Sequence, residues 1–273
     1  MLINGVHSEN ISVQDRGLLY GDGVFETILC QQGRPVLFAE HMQRFERGCE
    51  RLSLPAQDIQ IIQEEITTVA DGQDCIVKLL LTRGARGRGY YYDVQDHTHS
   101  RILYKTSYAA VDQDIYKNGA KLTICAHRLV RNATLAGIKH LNRLDQVIAR
   151  SEWSTEFNEG IVLDSQGLVI EGTMSNVFAL VDDVWVTPKM DQCGVQGVLR
   201  DFLLQQAVKI AVDVKEKNIT LQEALSARAM FVCNSVVGIW PVQSIDGKAF
   251  PIHGQTRTLM EYIHHNVSTL YPI

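Results

Sequence analysis

The chain has 273 residues, 45% of them hydrophobic and 21% charged, enough for one large or two modest domains with an ample core. A formal net charge of −5 argues against a nucleic-acid or anionic-membrane surface, since each needs clustered positive charge. Six cysteines (Cys30, Cys49, Cys75, Cys125, Cys193 and Cys233) lie scattered in apolar contexts without a C-x-x-C pair, which reads as reduced core thiols rather than a disulfide frame or zinc site. No metal is expected.

The polar first ten residues lack the apolar run of a signal peptide, and no segment approaches membrane-spanning length, so a cytoplasmic location is expected. Leu2-Ile3-Asn4-Gly5 reads as a strand and turn. A glycine-rich loop follows from Asp15 and leads into a strand over residues 24–29, which turns back at Gln32-Gly33. Phe38, Met42, Phe45, Cys49 and Leu52 predict a helix that stops before Pro55, and Ile59, Ile62, Ile66 and Val69 predict a second. Residues 75–82 and 102–109 read as strands around an arginine- and glycine-rich loop, residues 83–90. Residues 111–119 have the composition of a linker, which divides the chain into domains of residues 1–110 and 120–273.

Beyond that boundary a strand is expected over residues 121–127, then a helix from Leu144 to about Phe157 with Leu141, Leu144 and Ile148 on its core face. Residues 160–164 and 168–171 pair as a hairpin, as do residues 177–180 and 184–187. Gly194-Val195-Gln196-Gly197 opens a helix with Val198, Phe202, Leu203 and Ile210 inward, and Thr220 with Glu223 forms a capping box. A strand at residues 230–233, a turn at 234–238 and a helix over 256–270 close the chain. Many short strands with interspersed helices predict an α+β fold of layers or a strand-rich barrel.

Four features carry chemistry. Lys139 ends a short apolar approach behind Gly137 and precedes the helix at Leu144, so partial burial would disfavour its ammonium form and suit it to condensing with aldehydes; the alternative is a lysine that snorkels to water. Gly194-x-x-Gly197 at a helix start is an anion site or a simple turn. Glu171 ends an apolar strand, either as a buried carboxylate facing a pyridine nitrogen or as an exposed strand-end acid. Arg44, on the flank of the first helix, grips a phosphate or is solvated. Together they match the needs of pyridoxal phosphate.

Over essentially its full length the chain resembles the fold-type IV pyridoxal-phosphate enzymes. The resemblance is carried by Tyr20-Gly21-Asp22-Gly23-Val24-Phe25-Glu26-Thr27, His41-x-x-Arg44, the loop 83–90, residues 135–144, residues 171–178 and residues 194–200. It implies a small N-terminal α/β domain, a larger C-terminal pseudo-barrel domain, a cofactor between them and a homodimer. Lys139 would hold the cofactor, Glu171 its ring nitrogen, and Arg44 with the backbone of Gly197, Val198 and Leu199 its phosphate, while Asn234 and Ser235 would add polar groups. Within the group the chain resembles the aminodeoxychorismate lyases. Thr27 stands where branched-chain aminotransferases tend to have glycine, although Leu199 stands where several aminotransferases have a phosphate-binding threonine. The implied reaction gives 4-aminobenzoate and pyruvate, with Thr27 orienting the lysine or the leaving side. By the same resemblance Tyr20 and one or more of Arg83, Arg86 and Arg88 would meet the substrate, a small molecule. The alternatives are a branched-chain or D-amino-acid aminotransferase and a non-catalytic cofactor-binding protein.

Overall fold

The computed structural model describes residues 1–273 apart from Gly87, Ala110 and Val111; the expectations touching these three, in the arginine-glycine loop and at the edge of the 111–119 stretch, lie outside the described residues. The chain divides into two compact units, Met1–Ala109 with Ile138–Asn142, and Ala110–Gly137 with Arg143–Ile273.

The first unit comprises β1 (Leu2–Ile3), β2 (Val6–His7), α1 (Arg16–Tyr20), β3 (Gly23–Gln31), β4 (Arg34–Pro35), α2 (Phe38–Arg51), α3 (Ile59–Ala70), β5 (Cys75–Thr82) and β6 (Ser100–Ser107). Its sheet runs β2-β1-β6-β5-β3-β4, with β5 antiparallel to β3 from Gly23↔Thr82 to Cys30↔Cys75. Alternation gives the sheet two faces. Val24, Ile28, Val77, Leu79 and Leu81 share a core with Met42, Phe45 and Cys49 of α2 and Ile62 and Ile66 of α3, each large apolar side chain contributing roughly 1.5–3 kcal/mol on burial. Phe25, Thr27 and Lys78 stand on the other face, half-buried. Helix α1 replaces part of the expected loop. It is five residues long, too short for a periodic signal, and starts where Asp15 accepts a hydrogen bond from the Gly17 amide.

Ile138–Asn142 belongs to this unit because it adds to the free edge of β3. The Phe25 amide donates to the Lys139 carbonyl at 3.0 Å, the Leu141 amide to the Gly23 carbonyl at 2.9 Å, and Val24 pairs antiparallel with His140. Ile138 joins the core beneath.

The second unit contains α4 (Gln113–Asn118), β7 (Ala120–Leu129), α5 (Leu144–Arg150), β8 (Glu159–Asp164), β9 (Leu168–Gly172), β10 (Asn176–Val181), β11 (Val184–Thr187) and α6 (Val198–Gln206). It continues through β12 (Val214–Glu216), β13 (Ile219–Thr220), α7 (Leu221–Ser226), β14 (Met230–Asn234), β15 (Gly238–Ile245), β16 (Lys248–Ala249) and α8 (Gly254–Asn266). The order β12-β11-β10-β14-β15-β7-β8-β9-β13, with an added β10–β9 pairing, closes β10, β14, β15, β7, β8 and β9 into a barrel. Closure removes edges inside the ring.

Three helices depart from expectation. Helix α5 ends at Arg150, and its stripe is not core: Leu144, Val147 and Ile148 are 72%, 60% and 48% exposed. Periodicity records an apolar stripe and not what covers it. Helix α6 buries Val198, Leu199 and Leu203, while Phe202 is half-buried and Ile210 lies beyond its end. Residues 113–118, within the expected linker, are helical, capped by Asp112. Strand β15, with no counterpart in the sequence reading, crosses a stretch broken by Pro241.

Candidate active site

In the first unit the strand-edge addition carries Lys139 to Phe25. Its Nζ lies 4.5 Å from the centroid of the Phe25 ring, and the residue is half-buried. Thr27 shares the face of β3 that carries Phe25, two residues along the strand. Among the described residues no hydrogen bond of the Thr27 hydroxyl is present.

The opposite face holds a charged cluster that the sequence reading did not single out. Glu26 is buried in the middle of β3, and Arg44 of α2 is not a flank residue but lies on the buried side of its helix at 7% exposure. Arg44 Nε donates to Glu26 Oε1 at 2.8 Å and its Nη2 to Oε2, while His41 Nδ1 lies 2.6 Å from Oε2. Burial by itself would raise the Glu26 pKa; the Arg44 charge, with hydrogen bonds from Arg44 and His41, outweighs it and brings the carboxyl down to about 2. Burial lowers the His41 pKa more than Glu26 raises it, with Arg44 and Lys139 pushing the same way, so the ring is neutral and Nδ1–H is the donor. Glu26 therefore fixes the plane of the Arg44 guanidinium. An acid at a core-facing position of an apolar strand is the signal that would have found it.

The loop arginines divide by environment. Arg83 is buried and committed: it donates to both carboxylate oxygens of Asp22 at 2.9 and 3.0 Å and to the carbonyls of Ser53 and Leu52, and it lies 3.6 Å from the Tyr92 ring. Arg86 donates to the carbonyls of Arg83, Asp96 and Thr98 and pairs with the Asp96 carboxylate. Arg88 is exposed. Tyr20, at the end of α1, packs edge-on against Tyr90 with centroids 5.3 Å apart and lies under the Arg16 guanidinium.

In the second unit Glu171 closes β9 and is 4% exposed. Its Oε2 accepts from the Val195 amide at 2.8 Å and its Oε1 from Gln146 Nε2 at 3.1 Å. The turn that follows is tied to a second buried acid, Glu159, which accepts from the Thr173 amide, the Thr173 and Ser175 hydroxyls and the Met174 amide. Asn176 then donates to the Val195 carbonyl at 3.0 Å. Gly137 is anchored to the same loop: its amide donates to the Gly194 carbonyl at 2.9 Å, and its φ of +79° is one that side-chain-bearing residues resist.

Helix α6 begins at Gly197, which offers no side-chain cap to the first amides of the helix. A Cβ on Gly197 would stand 1.9 Å from Asn176 Oδ1. By type, the second unit offers helix-start amides that suit a phosphate and a buried carboxylate that suits a protonated pyridine nitrogen, and the first unit offers a half-buried amine that suits an aldehyde. Asn234 is a turn residue, its Oδ1 accepting from the Val236 and Val237 amides and its Nδ2 donating to the Met174 carbonyl. Ser235 is buried, and its carbonyl accepts from the Tyr271 hydroxyl. Thus Lys139, Thr27, Arg44, Tyr20 and the loop arginines lie in the first unit, and Glu171, Gly197, Val198, Leu199, Asn234 and Ser235 in the second.

Residues 23–245 match the family described as amino-transferase class IV, and the chain belongs to that family. A crystal structure of 4-amino-4-deoxychorismate lyase from Pseudomonas aeruginosa is similar with a TM-score of 0.92 and 38% identity, covering 97% of this chain and 98% of that one. The aminodeoxychorismate lyase of Vibrio harveyi is 32% identical over 266 residues, 94% of this chain and 97% of its own. A D-alanine aminotransferase of Staphylococcus epidermidis is 26% identical over 91% of this chain and 89% of its own. The fold is accordingly that of the type IV enzymes, as the sequence motifs implied. Among the described residues no helix is long and apolar enough to cross a membrane.

Proposed function

We propose that this chain is a pyridoxal-phosphate-dependent lyase that converts 4-amino-4-deoxychorismate to 4-aminobenzoate and pyruvate, a step that supplies a folate precursor. The observation that carries the reading is the end-to-end likeness to the Pseudomonas lyase at 38% identity. The Lys139 amine over Phe25, on the face that bears Thr27, supports it chemically.

When bound, the cofactor supplies an electron sink for charge that develops on the substrate carbon bearing nitrogen. Lys139 would hold the cofactor by its aldehyde, and its Nζ would be the base for the proton on that carbon. Glu171, fixed by the Val195 amide and Gln146, would keep a proton on the ring nitrogen. The amides of Val198 and Leu199 beyond Gly197, together with Arg44 in its Glu26-fixed plane, would bind the phosphate. Asn234 and Ser235 contribute at the turn after β14. Thr27 orients Lys139 or the departing enolpyruvyl oxygen. Loss of that oxygen breaks the carbon–oxygen bond, leaves an aromatic ring and yields pyruvate after protonation. Of the loop residues, Tyr20 and the exposed Arg88 are the candidates for reaching substrate, with Arg83 and Arg86 shaping the loop. The exposed stripe on α5 supports a homodimer, and the scattered buried thiols support a cytoplasmic location.

The purified protein, loaded with pyridoxal phosphate and given aminodeoxychorismate without any keto acid, is expected to release pyruvate and 4-aminobenzoate. Turnover that starts only when a keto acid is added would assign it instead to the aminotransferases, a reading that the Staphylococcus relative favours. Bound cofactor whose absorbance does not respond to any amine would mark a non-catalytic binder.

A further inference from the structure

The turn that joins β14 to β15 carries Asn234 and Ser235, and two tyrosines far from it in the chain hold it from inside. Tyr271, in the segment after α8, donates its hydroxyl to the Ser235 carbonyl at 2.8 Å, and Tyr116 of α4 donates to the Val237 carbonyl at 2.8 Å. Both side chains are fully buried. The Tyr271 ring also fills the space beside Gly238, where a Cβ would stand 3.1 Å from its Cγ and where φ is +75°. Tyr271 is itself fixed, since its carbonyl accepts from His264 Nδ1 at 2.6 Å and its amide donates to the Ser268 carbonyl at 3.1 Å.

Loop carbonyls ordinarily face water. Here two are turned into the interior, where each would be unsatisfied without its tyrosine hydroxyl. The other groups of the turn follow from that choice. Asn234 Oδ1 accepts from the Val236 and Val237 amides at 2.9 Å, and among the described residues the amide and hydroxyl of Ser235 take part in no hydrogen bond. Ser235 is 9% exposed, so two donors are left largely shielded from water with no acceptor. The start of α6 is tied to the same place: Asn176 of β10 pairs in register with Cys233, two residues before Ser235, and its Oδ1 stands 1.9 Å from where a Cβ on Gly197 would be.

Two sets of donors thus meet around Asn176 in the second unit, and both suit an anion. Resting on the cofactor reading of this site, we propose that Tyr271, with Tyr116, is a positioning residue for the cofactor phosphate: by drawing the Ser235 carbonyl inward, it sets the amide and hydroxyl of Ser235 to share that phosphate with the amides at the start of α6. No proton transfer is assigned to either tyrosine.

The test is absorbance titration of the full chain, freed of cofactor, with pyridoxal phosphate and separately with pyridoxal, which has the same ring and aldehyde but no phosphate. Tyr271→Phe keeps the ring beside Gly238 and removes only the hydroxyl. Its affinity for pyridoxal phosphate is expected to fall about three- to tenfold, the worth of one hydrogen bond, while its affinity for pyridoxal stays at the wild-type value. Tyr116→Phe, expected to shift the same way, replaces it if that variant does not fold. A hydroxyl that only supports the fold would weaken the binding of both compounds alike; that result, or unchanged affinity for both, overturns the inference. So does a wild-type protein that binds the two compounds equally, which would retain the cofactor reading and lose the phosphate grip. A wild-type protein that binds neither loses the cofactor reading and the inference with it.

Discussion

Glu26 shows how a single buried charge is tied to stability. Its folded pKa of about 2 lies below the ordinary 4.5, so the unfolded chain binds the proton more readily. The stabilisation, roughly 3 kcal/mol from the linkage relation, is fully present above pH 4.5 and is lost as the pH falls from there through about 2. Glu26→Gln removes the counterion of a buried guanidinium, and a loss of about 3–5 kcal/mol is expected in urea unfolding of the apo-protein. That variant should also lack the wild-type decline in this acid window. Thr27→Val keeps the β-branched shape and removes the hydroxyl. Pyruvate release is expected to fall several-fold or more, for the loss of about 0.5–1.5 kcal/mol or a charged equivalent; an unchanged rate would confine Thr27 to packing. The partial burial of Lys139 and the burial of Glu171 were legible from residue type and setting. Glu26 and the buried placement of Arg44 were not, because each depends on which strand lies alongside.

Elements with a full periodic signature were readable from the chain. Helix α2 begins at Phe38 and α3 at Ile59, each carrying apolar residues inward at helical spacing, and β5 spans residues 75–82 as the pattern predicts. Short or composite pieces were not. The five residues that add to β3 are too few to show alternation, and the α5 stripe has the spacing of a core helix without its burial. Helix α6 offers a test of what its N-terminus does. Gly197→Ala would force a Cβ against Asn176 Oδ1, 1.9 Å away, and push the loop or the asparagine aside. Cofactor affinity, measured by absorbance titration, is expected to fall about tenfold or more if bare amides there hold the phosphate. Retained affinity would place the phosphate elsewhere.

At the scale of the whole molecule, the apolar stripe of α5 is the feature most at odds with a solitary chain, since Leu144, Val147 and Ile148 stand open together. If a second copy covers it, Val147→Asp should shift the sedimentation coefficient toward that of a monomer while the melting of each unit is little changed. An unaltered sedimentation profile would mean that no second copy covers the stripe. The route of the chain has a different consequence, one of timing. The first unit is not complete when residue 109 leaves the ribosome: the β3 edge keeps an unpaired Phe25 amide and Gly23 carbonyl until residues 138–142 arrive. Those five residues bring Lys139 with them. The nascent chain therefore cannot set Lys139 on the Phe25 ring before the start of the second unit has been made, and a truncated product ending at residue 109 would carry an open strand edge and lack Lys139.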